Sequence, residues 1–157
     1  MTPSSEGKIT LLRHTVATLA YRGGKALRGA PSGFAGYGSR TPGQILAHVC
    51  DLFDWALTIA DGREAWHNSQ PQSWDADIAR FFAVLEAFDR RLASAVPLAV
   101  EPERLFQGPV ADALTHVGQI AMLRRMAGCP VSGENYFVAN IETGRAGADQ
   151  AAPAKEF

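Results

Sequence analysis

The fold of this chain is decided by residues 41–60, TPGQILAHVCDLFDWALTIA. Thr41 offers an N-cap hydroxyl, Pro42 suits the first helical position, and Gln44 completes a capping box. The stretch therefore predicts a helix that ends near Asp61-Gly62. Its apolar residues recur at helical spacing and form one stripe: Ile45, Val49, Leu52, Ala56 and Ile59.

Three further segments carry the same helical periodicity, and none alternates as a half-buried strand does. In the first segment, Gly23-Gly24 favours a kink or an early stop. The fourth helix is predicted to begin behind Gly108-Pro109 and to stop at Gly128, with Pro130 beyond. The predicted ranges are about 5–29 for the first helix, 74–95 for the third, 109–128 for the fourth and 134–143 for a short fifth.

Length and composition fit one folded domain. The chain has 157 residues, of which 46% are hydrophobic and 20% charged. Four amphipathic helices bury their apolar faces most economically in an all-α four-helix bundle, here assigned to residues 1–143 with a C-terminal tail at 144–157. The links after the second and third helices, about eleven to fourteen residues long, permit crossover connections.

Charge and cysteine content exclude several classes of protein. The net charge of −1 and the absence of a basic stripe argue against a nucleic-acid partner. No apolar run approaches the ~20 residues of a membrane span, and residues 1–7 do not resemble a signal peptide. The two cysteines, Cys50 and Cys129, cannot form a disulfide framework. We therefore expect a reduced, cytoplasmic protein.

The candidate functional residues are polar side chains on apolar faces. His48 belongs to the inward stripe of the second helix, and Asp112 and His116 lie one helical turn apart on the fourth. A divalent metal ion would partner all three, since two histidines and one carboxylate form a known ligand set. The pattern also allows a hydrogen-bonded core histidine and a surface ion pair, so the residues alone leave both interpretations open.

Two segments carry a resemblance to a known family. Residues 41–48, TPGQILAH, followed by 51–55, DLFDW, resemble the second helix of the DinB/YfiT-like superfamily. Residues 116–120, HVGQI, with Leu123-Arg124 and Gly128 following, resemble its fourth helix. The likeness extends from Lys8 to Pro130, and residues 134–157 are similar to a C-terminal extension of one DinB-like subgroup.

This resemblance implies an up-down-down-up bundle, often dimeric, with a divalent metal such as nickel, zinc, iron or manganese. It assigns the metal ligands to His48, Asp112 and His116. The middle position is usually histidine in the family, so Asp112 changes three imidazoles to two plus a carboxylate. The implied activity is that of a metalloenzyme acting on a small molecule. A transferase that uses a low-molecular-weight thiol is the leading form, and a hydrolase is the second.

Several other residues are candidates for a functional role, and the sequence also allows two other classes of function. His14 is near the main stripe, where it could support the site or act as an acid or base, but it is expected to be exposed or capping. His67 is expected to be exposed. Trp55 either walls a pocket or belongs to the core, and Cys50 and Cys129 are poor nucleophiles. The alternative functions are a non-catalytic interaction or stress-response bundle and a small-molecule binder.

Overall fold

The computed structural model describes residues 3–157, with the side chains of residues 3 and 4 left aside. Within that range the protein is helical and contains no β-strand, which confirms the predicted all-α class. No helix in this range is both long and apolar enough to cross a membrane. The helices are α1 (Pro3–Leu27), α2 (Pro42–Ala60), α3 (Trp74–Ala93), α4 (Pro102–Leu105) and α5 (Ala111–Met126).

The start of α2 confirms the predicted capping box. The Thr41 hydroxyl accepts a hydrogen bond from the Gln44 backbone N–H at 3.2 Å, and Gln44 Oε1 accepts from the Thr41 N–H at 3.0 Å. Both bonds satisfy donors that the first helical turn leaves without backbone partners. The cap fixes where α2 begins, and hence which of its residues face the rest of the bundle.

The fourth helix begins earlier than predicted. It starts at Pro102 as α4, continues through a π-helical segment at Phe106–Val110, and runs directly into α5. Pro109 lies inside the π-helical segment and does not end the helix. A π turn changes the hydrogen-bond register locally, which accommodates a residue that has no N–H to donate. The buried residues Leu105 and Val110 hold this segment in the core.

Helix α1 likewise runs through Gly23-Gly24 without the early stop that these glycines favour. A Cβ atom on Gly23 would lie 2.5 Å from Cζ of the buried Phe81 ring, so glycine here permits close packing of α1 on α3. The glycine is therefore explained by tertiary contact, and the helix continues to Leu27.

The long helices pack around one core. Helix α1 packs on α3 and α5, and α2 packs on the same two helices. Residue numbers increase together in the ion pairs between α2 and α3, from Asp51–Arg80 to Asp61–Arg91. These two helices therefore run in the same direction. The largest fully buried side chains of the core include Phe53, Phe81, Phe88, Leu19, Leu27, Ile45, Leu46, Leu85, Leu105 and Ile120.

The predicted short fifth helix at residues 134–143 is wrong. This segment contains only a 3-10 turn at Tyr136–Val138. Glu134 is buried and accepts hydrogen bonds from the Tyr21 hydroxyl and from Lys25 Nζ. These contacts bind residue 134 to α1 in an extended chain, which outweighs the local helical pattern. The last residues return to the same place, where Glu134 and Glu156 form an isolated antiparallel bridge.

Candidate metal centre

The three predicted ligands come together in the structure. One ligand atom from each of His48, Asp112 and His116 lies within 4.8 Å of the other two. His48 Nε2 is 3.5 Å from Asp112 Oδ2, and His116 Nε2 is 3.4 Å from Asp112 Oδ1. Helix α2 supplies the first residue, and the first two turns of α5 supply the other two. Each carboxylate oxygen faces one imidazole, and the two imidazole rings meet edge-on at a centroid distance of 4.8 Å.

Gln119 fixes the orientation of the His116 ring. Its amide oxygen lies 2.7 Å from His116 Nδ1, the distance of a hydrogen bond in the tautomer that has its proton on Nδ1. In a neutral ring, Nε2 then presents a lone pair toward Asp112. Metal-binding histidines commonly show this arrangement, in which the second ring nitrogen donates to an oxygen.

The resulting cluster of lone pairs favours a cation. A carboxylate oxygen and an unprotonated imidazole nitrogen 3.4 Å apart repel each other unless positive charge lies between them. A proton or a metal ion would supply that charge. Two imidazoles and one carboxylate suit zinc, iron, nickel and manganese, so the donor set fits the ion that the sequence predicts. The Asp112 side chain is 47% exposed, which leaves an approach from solvent.

Trp66 borders the cluster and also contacts Trp55. The Trp66 ring meets the His48 ring edge-on at a centroid distance of 5.6 Å, and it meets Trp55 edge-on at 5.9 Å. Trp55 is partly buried and packs against the core, which confirms the core interpretation. Trp66 could not be predicted from the sequence as a site residue, because the residues around it have no periodicity that would place them.

A second group, Asp51, Asp54 and His67, lies beside the first. His67 is exposed, as predicted, and its Nε2 lies 2.9 Å from Asp51 Oδ1 and 3.2 Å from Asp54 Oδ2. Arg80 Nη2 lies 2.8 Å from Asp51 and 2.7 Å from Asp54. A guanidinium thus occupies the position that a cation would take, and this group does not need a metal ion.

The charges of this second group are set by its hydrogen bonds. Burial alone would raise the pKa of Asp51, but donors from Ser69 and Arg80 outweigh burial and lower that pKa. Burial alone would lower the pKa of Arg80, but its bonds to Asp51 and Asp54 raise it. Both residues are therefore charged at neutral pH, and the group is an ion-pair network.

The remaining sequence candidates lie outside the cluster. His14 Nδ1 is 3.0 Å from Thr143 Oγ1, a contact with the C-terminal region. Both cysteines are free thiols. Burial raises the pKa of the Cys50 thiol to about 12, so it stays protonated at neutral pH and is a poor nucleophile, as predicted.

An open cleft of about 530 Å³ adjoins His116 on the side of Gln119. Apolar side chains of Ile45, Met122 and Leu123 line it. A small molecule could therefore contact His116 from this side with an apolar group.

Comparison of the chain with protein-family models, with curated proteins and with solved structures gave no match. The functional interpretation therefore rests on the sequence motifs and on the geometry of the cluster.

Proposed function

We propose that this protein is a DinB-like protein that binds one divalent metal ion through His48, Asp112 and His116 and acts as a metalloenzyme. The observation that carries the proposal is the convergence of three ligand atoms from two helices within 4.8 Å of one another. The orientation of the His116 lone pair toward Asp112 supports it further.

The directions of the helices support the DinB-like topology. Helix α1 runs opposite to α3 and in the same direction as the fourth helix, and α2 runs parallel to α3. Taken in chain order, these relations correspond to up-down-down-up. The pairs that define them are Arg13–Asp89 and Gly23–Phe81 between α1 and α3, Asp51–Arg80 and Asp61–Arg91 between α2 and α3, and Lys8–Glu103 and Ala26–Arg124 between α1 and the fourth helix.

The chemistry follows from the ligand set. A divalent ion held by three protein ligands supplies a Lewis acid with positions open for water or substrate. The chain contributes a fixed His116 orientation through Gln119, and an apolar cleft that can receive the rest of a small substrate. We propose transfer of a low-molecular-weight thiol to an electrophile as the reaction, with hydrolysis as the second form.

Partners and location belong to the same proposal. We propose a homodimer, as in the family that the sequence resembles, and a cytoplasmic location. The free state of Cys50 and Cys129 fits a reducing compartment.

Elemental analysis tests the metal site. After dialysis against each divalent ion and then against buffer without chelator, wild-type protein should retain about one equivalent of ion. His48→Ala and Asp112→Ala should retain none, whereas Asp112→His should retain metal because imidazole replaces the lost ligand. His14→Ala is the matched control and should bind as wild type does. Background metal in the wild-type protein would contradict the proposal.

A further inference from the structure

Trp66 is an exposed aromatic side chain beside the proposed metal site, and it is not one of the proposed ligands. It is 43% exposed, yet its ring contacts both His48 and Trp55. An indole that covers one metal-binding residue restricts what can approach the site from that direction. The exposed part of the ring also offers an apolar surface at the edge of the site.

The chain around Trp66 is tied to α2 on both sides. Before it, the Ala65 N–H donates to Thr58 Oγ1 at 3.3 Å. After it, the Ser69 N–H donates to Asp51 Oδ2 at 2.7 Å, and His67 pairs with Asp51 at 2.9 Å. The position of the indole is therefore determined by anchors in the backbone and not by its ring contacts alone.

Arg80 completes this anchor from α3. Its guanidinium bonds Asp51 and Asp54, and Asp51 is only 2% exposed. A buried carboxylate with charged and neutral donors on several sides is costly to move. The ion-pair network thus holds residues 61–73 on α2 and α3 and keeps Trp66 against His48.

We propose that Trp66 is a specificity-determining wall of the metal site, with His67 as a positioning residue that acts through it. The wall admits small groups to the ion bound by His48, Asp112 and His116, and it excludes bulky ones. This inference rests on the proposed metal site for its functional meaning, but the shielding of His48 by Trp66 can be measured without metal.

The first experiment measures shielding in metal-free protein. Diethyl pyrocarbonate modifies accessible, unprotonated imidazoles, and peptide mass spectrometry gives the modification rate of His48 relative to His14. Trp66→Ala should raise this ratio several-fold, and His67→Ala should raise it less. Trp66→Phe should keep it near the wild-type value, because a ring remains. Phe137→Ala removes another exposed aromatic side chain, 96% exposed, and should change nothing.

The second experiment measures selectivity in cobalt-loaded protein. Binding of imidazole and of 4-phenylimidazole is followed by the visible absorption of cobalt. Trp66→Ala should bind the larger ligand about tenfold tighter than wild type, with imidazole affinity unchanged, since steric exclusion from a pocket is of this size. A merely structural role of Trp66 would alter both affinities together.

The outcomes separate the two proposals. An unchanged His48 ratio in Trp66→Ala, or equal changes for both imidazoles, overturns the wall. Failure of the wild-type protein to bind cobalt, together with the expected His48 ratios, overturns the metal site while the shielding by Trp66 stands. Circular dichroism of each variant checks that the bundle remains folded.

Discussion

Asp51 is the most heavily bonded carboxylate near the candidate site. It is 2% exposed and accepts bonds from the Ser69 N–H, the Ser69 hydroxyl and Arg80. Removing its charge leaves the Arg80 guanidinium, itself partly buried, with one carboxylate fewer. Because unpaired charge in such a position is costly, the residue stabilises both the loop and the α2–α3 contact.

We therefore expect Asp51→Asn to lower the free energy of unfolding by about 3 kcal/mol at pH 7, as measured by urea denaturation. The matched control is Asp149→Asn, whose exposed ion pair with Arg145 contributes at most about 1 kcal/mol. Equal effects of the two substitutions would contradict the role of Asp51.

The pH dependence of this effect has a definite sign. The pKa of Asp51 is lowered in the folded protein, so its contribution is fully present above the unfolded pKa of about 4. The contribution is lost as pH falls below that value toward the folded pKa. The difference in stability between wild type and Asp51→Asn should therefore shrink in acid, and a constant difference would oppose this assignment.

At the scale of elements, two glycines in helices have opposite surroundings. A Cβ on Gly23 of α1 would meet the buried Phe81 ring at 2.5 Å, whereas a Cβ on Gly118 of α5 would meet nothing within 4 Å. Alanine is a better helix former than glycine by about 1 kcal/mol. Overpacking of a core costs about 1–3 kcal/mol.

Helix propensity and core packing together predict that a glycine-to-alanine substitution has opposite effects on stability at these two positions. Gly118→Ala should raise the free energy of unfolding by up to about 1 kcal/mol, since only helix propensity changes. Gly23→Ala should lower it by up to about 2 kcal/mol, because the overpacking cost offsets or exceeds the gain in helix propensity. Urea denaturation of both variants measures this, and a stabilising Gly23→Ala would show that α1 does not pack closely on α3.

Local signals explain which elements could be predicted from sequence. The start of α2 was predicted correctly because the capping box at Thr41–Gln44 is made within one turn. The predicted start of the fourth helix was wrong because Gly108-Pro109 indicates a helix start, whereas the chain is already helical from Pro102. Its π turn depends on tertiary burial of Leu105 and Val110, which no local pattern contains.

At the scale of the whole molecule, the C-terminal region is joined to α1 by a buried polar cluster. Glu134 accepts from Tyr21 and Lys25, and Lys25 also pairs with Glu156. Burial raises the pKa of Tyr21 to about 12, with a further contribution from the bond to Glu134. The neutral phenol is thus the form that the folded protein favours.

Ionisation of Tyr21 should therefore lower the stability of the folded protein at alkaline pH. The pKa of Tyr21 is about 12 in the folded protein and about 10 in the unfolded chain. The stability that neutral Tyr21 contributes is therefore complete below pH 10 and is lost as the pH rises to about 12. Tyr21→Phe cannot ionise, so the stability difference between wild type and this variant should decline over that range. Thermal unfolding from pH 8 upward measures the decline, and an unchanged difference would contradict it.

The candidate site shows the same division between local and tertiary information. His48, Asp112 and His116 could be named from sequence because helical spacing places each on an inward or adjoining face. Trp66 and the contacts that His67 and Ser69 make with Asp51 could not, because these three residues belong to residues 61–73, which have no helical pattern. Their positions follow from contacts with α2 and α3 that form only in the folded chain.

The most direct test of the account is anomalous diffraction from crystals of the protein grown with zinc, recorded on both sides of the zinc absorption edge. We expect one strong peak about 2.0–2.2 Å from His48 Nε2, an Asp112 oxygen and His116 Nε2. The group of Asp51, Asp54 and His67 should show none, because Arg80 already supplies its cation. A peak at that second group alone, or no peak beside His48 and His116, would contradict the metal site.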